Sequence, residues 1–137
     1  MELNNYTITL FRPVGQKEMD LIRETHCTAF PPRLPFQPIF YPVLQEDYAV
    51  QIARDWNTTD AASGYVGYVT RFHVDKAFLS QYSIRTVGSS KHQEYWIWAE
   101  DLPQFNQHIV GTIEVIAEFR TDACRESSFS EFENFLQ

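Results

Sequence analysis

The sequence predicts an α+β fold on a mainly antiparallel, twisted sheet with short helices. Residues 65–74 and 109–119 alternate in hydropathy, and a period of two marks strands. Residues 46–56 carry apolar side chains at helical spacing instead. Strand and helix signals interleave irregularly rather than as repeating β-α units, which favours α+β over a parallel sheet. With 137 residues the chain reads as one domain over 1–119, followed by an acidic, phenylalanine-containing tail over 120–137.

Taken in order, residues 6–12 form a strand with Tyr6, Ile8 and Leu10 on one face. Pro13 and Gly15 are expected to end it, leaving Arg12 at its mouth. A short helix over 16–26 follows, with Met19, Ile22 and His26 sharing a face. The run 30–43 contains Pro31, Pro32, Pro35, Pro38 and Pro42. Proline fixes φ and removes a donor, so this run starts as neither a helix nor a central strand. It also holds Phe30, Leu34, Phe36, Ile39, Phe40 and Tyr41, which favour burial. A stiff apolar loop is a clamp across the core or a wall of a pocket, and its end, 39–43, reads as a short edge strand.

In the helix 46–56, Tyr48, Ile52 and Trp56 fall at i, i+4 and i+8, Ala49 and Ala53 widen the stripe, and Asn57 stops it. A polar loop, 58–64, leads to the strand 65–74. There Val66, Tyr68, Thr70, Phe72 and Val74 face one way, and Tyr65, Val69, Arg71 and His73 the other. Asp75 is an N-cap for a short helix through Phe78 and Leu79. Then come a strand over 82–87, a flexible joint at 88–90, an aromatic strand over 93–98, and a helical turn over 101–107 with Leu102 and Phe105 inward. The closing strand 109–119 places Ile109, Ile113, Val115, Ala117 and Phe119 on one face and Glu114 and Glu118 on the other. In the tail, Phe129, Phe132 and Phe135 recur at every third position, which suits a marginal amphipathic helix or a solvated segment.

The net charge of −7 disfavours nucleic acid, whose phosphates need a basic face. Cys27 and Cys124 are far apart and read as reduced thiols. The start of the chain lacks a basic, apolar leader, and no apolar run is membrane-length, so a cytoplasmic setting is expected, with no membrane contact. His26, His73, His92 and His108 are scattered without metal-ligand spacing, and no metal is expected. No Gly-x-Ser-x-Gly and no glycine-rich phosphate loop is present.

A dispersed constellation remains: Arg12, Arg33, Phe40, Tyr41 and Glu94. An arginine holds a diphosphate through paired charge-assisted bonds. An aromatic face stacks a planar ring. A carboxylate beside a sugar stabilises positive charge at the anomeric carbon. Together these suit cleavage of a nucleotide's glycosidic bond. Each residue also has a plain structural reading: Arg12 as a salt-bridged strand end, Phe40 and Tyr41 as core, Arg33 as a solubilising charge, Glu94 as a solvated carboxylate. Trp96 and Trp98 share a face by period two and suit a core or an interface, and His92 reads as exposed.

The chain resembles a group of short bacterial proteins labelled ADP-ribosylation/crystallin J1. The likeness is carried by Leu10-Phe-Arg-Pro-Val-Gly15, Phe30-Pro-Pro-Arg33, Gln37-Pro-Ile-Phe-Tyr-Pro-Val43, Tyr48-Ala-Val-Gln-Ile-Ala-Arg-Asp-Trp56, Tyr68-Val-Thr-Arg-Phe72 and Glu94-Tyr-Trp-Ile-Trp98, with Phe105-Asn106 and Ile109-Val-Gly111. More distantly it is similar to the ADP-ribosyltransferase fold. That resemblance implies NAD as the cofactor, with Arg12 gripping it, Tyr41 stacking near the nicotinamide, and Glu94 orienting the ribose. Arg33 and Phe40 would complete the nucleotide site, and Arg12 and Glu94 would serve an NAD-dependent transferase or glycohydrolase. The competing expectation is a non-catalytic protein-interaction module or a homodimer, presenting the aromatic strand and the tail.

Overall fold

The computed structural model of the protein describes residues 6–121. It is an α+β fold with antiparallel sheets and short helices. Strands β1 (Thr7–Val14), β3 (Val66–Asp75) and β7 (Ile109–Arg120) form a three-stranded sheet in the order β1-β3-β7. A hairpin pairs β4 (Ile84–Thr86) with β5 (Gln93–Tyr95), and a short ribbon pairs β2 (Ile39–Phe40) with β6 (Ile97–Trp98). The helices are α1 (Gln16–Glu24), α2 (Glu46–Asp55), α3 (Lys76–Leu79) and α4 (Leu102–Gln107). The phenylalanine-dotted tail and Cys124 lie outside the described residues. Among the described residues no helix is long and apolar enough to cross a membrane.

Val43 links the hairpin to the main sheet. It exchanges both backbone bonds with Phe11 at 2.8 Å and lies directly opposite Glu94 on its other side. Apolar residues cover both faces of the sheet. On one, Leu10, Val14, Phe72 and Val74 pack with Met19 and Ile22 of α1 and with Phe30, Phe40 and Phe105. On the other, Phe11, Val43 and Val69 meet Ala49 and Ala53 of α2.

Several expected elements differ in detail. β1 runs through Pro13 to Val14. The Phe11 N–H points outward to Val43, so by strand parity the Pro13 nitrogen also faces the outer edge, where no ladder bond is lost. α1 ends at Glu24, before His26. The Thr25 hydroxyl accepts the N–H groups of Thr28 and Ala29, and the chain turns left-handed at His26 and Cys27. Of the six large apolar residues expected to be buried in the proline run, only Phe30 and Phe40 are. Leu34 and Phe36 project from a tight turn closed by the Gln37 N–H on the Leu34 carbonyl, and Phe36 is 76 % exposed.

The buried stripe of α2 is Ala49 and Ala53 rather than the aromatics, and Trp56 is exposed. Small residues let this helix lie directly on the backbone of β3 at Gly67. The expected aromatic strand breaks at Trp96 into β5 and β6, and Trp96 and Trp98 are exposed rather than core. The predicted face of β7 also divides. Val69 pairs with Ala117 but Thr70 pairs with Val115, so Ile116 is an extra residue in the ladder. Residues before and after such a bulge change faces. Ile109 and Ile113 join the α1-side core, and Ala117 and Phe119 turn toward α2. Asp75 caps α3 as its chemistry suggests, accepting the Ala77 N–H at 3.1 Å.

A methyl group at Gly67 would run into the carbonyl of Ala53, which cannot move without displacing α2. Gly67→Ala is expected to lower stability by about 2 kcal/mol or more, the cost of overpacking a rigid contact. Urea unfolding of the two proteins measures it.

Candidate functional site

The outer edge of β1 is paired at Phe11 and opens beyond it. Pro13, Val14 and Gly15 run past Val43 and form one side of a cavity of about 610 Å³. That volume suits a small organic ligand. The proline run and α1 supply Arg33, Leu34, Lys17 and Glu18, and the end of α2 with the following turns supplies Trp56, Asn57, Asp60 and Ser63. Arg12, Tyr41 and Glu94 also border it.

Residues directly opposite in an antiparallel pair share a face, and neighbours along a strand alternate. Phe11, Val43 and Glu94 therefore project on the α2 side, and Arg12 projects on the α1 side. Arg12 and Glu94 reach the cavity from opposite faces of the sheet. Each is already committed. Arg12 is buried and donates from Nε and Nη2 to the two carboxylate oxygens of Glu18 at 2.7 and 3.1 Å. Its Nη1 donates to the Tyr41 carbonyl at 3.3 Å, and its guanidinium lies 4.5 Å from the Phe40 ring centroid. Glu94, also buried, accepts from the Tyr48 hydroxyl on Oε1 at 2.9 Å and from the Trp96 indole on Oε2 at 2.8 Å.

Phe40 is a core ring, 5.0 Å from Phe30 and 5.3 Å from Phe105. Tyr41 is partly exposed and sits edge-on to Trp96. Arg33 stands differently from Arg12. Its Nε donates to the Ile39 carbonyl at 3.1 Å, but among the described residues no salt bridge joins it to a carboxylate. Burial and then the charge of Arg12 press its pKa down, and Glu18 opposes them only in part. Among the described residues no His, Cys, Asp and Glu group is placed to hold a metal.

No family model, no curated protein and no solved structure matches the chain.

Of the expected residues, the fold brings Arg12, Arg33 and Phe40 into one neighbourhood and places Glu94 beyond the sheet backbone from it. Sequence reasoning missed the partners. Glu18 neutralises Arg12 from the next element. Tyr48, expected in the helix core, reaches Glu94 and stacks on His92 at 4.4 Å, so His92 is half-buried rather than exposed. On the α2 side, the Asn57 Nδ2 donates to Ser63 Oγ at 2.9 Å, and the Ser63 hydroxyl donates to Asp60 Oδ2 at 2.7 Å. The only advance sign of this chain was Asp60 followed by Ser63 in a polar loop, the pattern of an oxygen capping a tight turn.

Burial, and then the bond to Glu94, raise the pKa of Tyr48 to about 12, and Tyr82 beside Asp101 is raised likewise. The folded protein thus holds these protons more tightly than the unfolded chain. The stability they contribute is complete below pH about 10 and lost as pH rises through about 12. Tyr48→Phe is expected to remove one share of that alkaline loss. Near neutral pH it should cost about 1–3 kcal/mol, because Glu94 Oε1 loses its donor. Denaturant midpoints from neutral pH to about pH 12 report both effects.

Proposed function

We propose that the cavity binds a small ligand with a phosphate or diphosphate and a planar ring, a nucleotide such as NAD or its ADP half. The observation that carries this reading is Arg33. It is a half-buried cation in the cavity wall, next to an arginine whose charge Glu18 already balances, and without a carboxylate of its own among the described residues. Cations out of water are normally paired, and a ligand's phosphate would pair this one bidentately. Lys17 on the same side adds to the local positive charge. Tyr41 and Trp56 offer partly exposed rings for stacking.

The likeness to ADP-ribosyltransferases supplies NAD as the candidate, and the antiparallel α+β frame is compatible with it. The geometry favours binding over bond cleavage. Both oxygens of Glu94 are engaged by Tyr48 and Trp96, and its side chain leaves the sheet on the face away from the arginines. A carboxylate held in this way acts as a structural acceptor joining α2 to β5. A second reading, self-association or a protein partner, draws on the exposed Trp96, Trp98, Ile84 and Val87 around the hairpin. Concentration-dependent sedimentation without ligand would favour it.

Titration calorimetry with pyrophosphate, ADP and NAD tests the binding reading. Binding of pyrophosphate and ADP is expected, and Arg33→Ala should weaken both about 10-fold or more, the worth of one charge-assisted pair. Nicotinamide release from NAD is not expected. Absence of binding by all three probes would overturn the proposal.

A further inference from the structure

The two sides of the cavity differ in kind. The α1 and proline-run side is cationic. The α2 side carries the carboxylate of Asp60 and the amide of Asn57. Asn57 is unusual among the described residues. It is only 4 % exposed, it lines the cavity, and its Oδ1 has no hydrogen-bond partner, alone among their buried side-chain polar atoms. An unmatched buried acceptor costs about 1–3 kcal/mol, so such atoms are rare unless something else satisfies them.

The orientation of this amide is fixed by its neighbours. The Ser63 hydroxyl has one proton, and it goes to Asp60 Oδ2 at 2.7 Å. Ser63 Oγ can therefore only accept from Asn57, which requires Asn57 Nδ2 to face it and leaves Oδ1 as the unmatched atom. Ser63 is itself held in place. A Cβ on Gly15 would lie 2.6 Å from the Ser63 Cα, so the turn is pressed directly against the end of β1.

We propose that Asn57 is a specificity-determining residue of the cavity, its Oδ1 accepting a hydrogen bond from a ligand hydroxyl or exocyclic amine while the ligand's anion rests on the Arg33 side. This rests on the anion-binding reading above and adds a second, independent anchor to it. The ligand class narrows accordingly, to anions that also carry a donor group, as a nucleoside phosphate does with its ribose hydroxyls or base amine. Asp60, bonded to Ser63 and to the Ala62 N–H, holds the amide in register and acts as a positioning residue. Because Oδ1 is closed to solvent, the contact requires a local adjustment of the cavity wall.

The test compares two probes that share a diphosphate, pyrophosphate and ADP, by calorimetry on the full chain. The wild type is expected to bind ADP more tightly than pyrophosphate. Asn57→Ala should reduce ADP affinity about 10-fold and leave pyrophosphate affinity unchanged, and the retained pyrophosphate binding shows that the variant is folded. Ser63→Ala keeps the Cβ packed against Gly15 but frees the amide to turn, so it should lose part of the ADP preference. Equal loss for both probes, or no loss for ADP, in a folded Asn57→Ala overturns the role of Asn57 and leaves the Arg33 site standing. Binding of neither probe by the wild type overturns both.

Discussion

Val43 carries the backbone pairing that holds the two parts of the sheet together. It contributes its own N–H and carbonyl to Phe11, and its neighbours Pro42 and Leu44 bond to Tyr95 and Gln93. A full strand here would have covered the edge of β1 to its end. The Pro42 carbonyl bonds the Tyr95 N–H, so its backbone groups face β5 rather than the edge of β1. On β1, Pro13 removes the donor that would otherwise stand unpaired on the same edge. The opening of the sheet beside Val14 and Gly15 therefore costs little in unsatisfied backbone. The cavity is the space this truncated pairing leaves, walled by the elements that α1 and α2 bring to either side.

The charges around that opening sort by whether the protein already uses them. Arg12 and Glu18 neutralise each other against the Phe40 ring, an arrangement that lets a buried guanidinium sit over the aromatic core. Glu94 is spent on tying Tyr48 of α2 and Trp96 to β5. What is left in the cavity wall is Arg33 on one side and the buried, unpartnered Asn57 oxygen on the other. Residues whose bonds are complete hold the walls, and under the proposed reading those with unfilled capacity would meet the ligand. This distinction separates Arg33 from Arg12, although the two look alike in sequence.

Much of the frame was legible because it depends on local chemistry. The period-two runs gave β1, β3 and β7, the Asp75 cap gave α3, and Leu102 and Phe105 turned inward as spaced. The misreadings have a common cause, since each depended on a neighbour distant in sequence. Trp56 fits a helical stripe by spacing, but α2 must pass close over Gly67, and only Ala49 and Ala53 permit that approach. Ile109 through Phe119 alternates well enough to suggest one face, but a bulge at Ile116 against β3 divides it. Arg12 was visible at its strand end, but Glu18 as its partner was not, because no spacing rule relates a strand residue to the helix that follows a turn. Glu94 was legible as a carboxylate on an aromatic strand. Its face of the sheet follows from the pairing with Val43, which Pro42 disguised.

The whole-chain charge of −7 and the local cation at Arg33 bear on different classes of ligand. A nucleic acid presents phosphates over tens of ångströms and would meet the acidic surface as a whole. A small nucleotide is buried by one cavity. Beyond a screening length of about 8 Å at physiological salt the rest of the molecule contributes little to its energy. Short-range pairing within the wall then decides the outcome. The net charge that argues against a polynucleotide thus leaves a mononucleotide permitted.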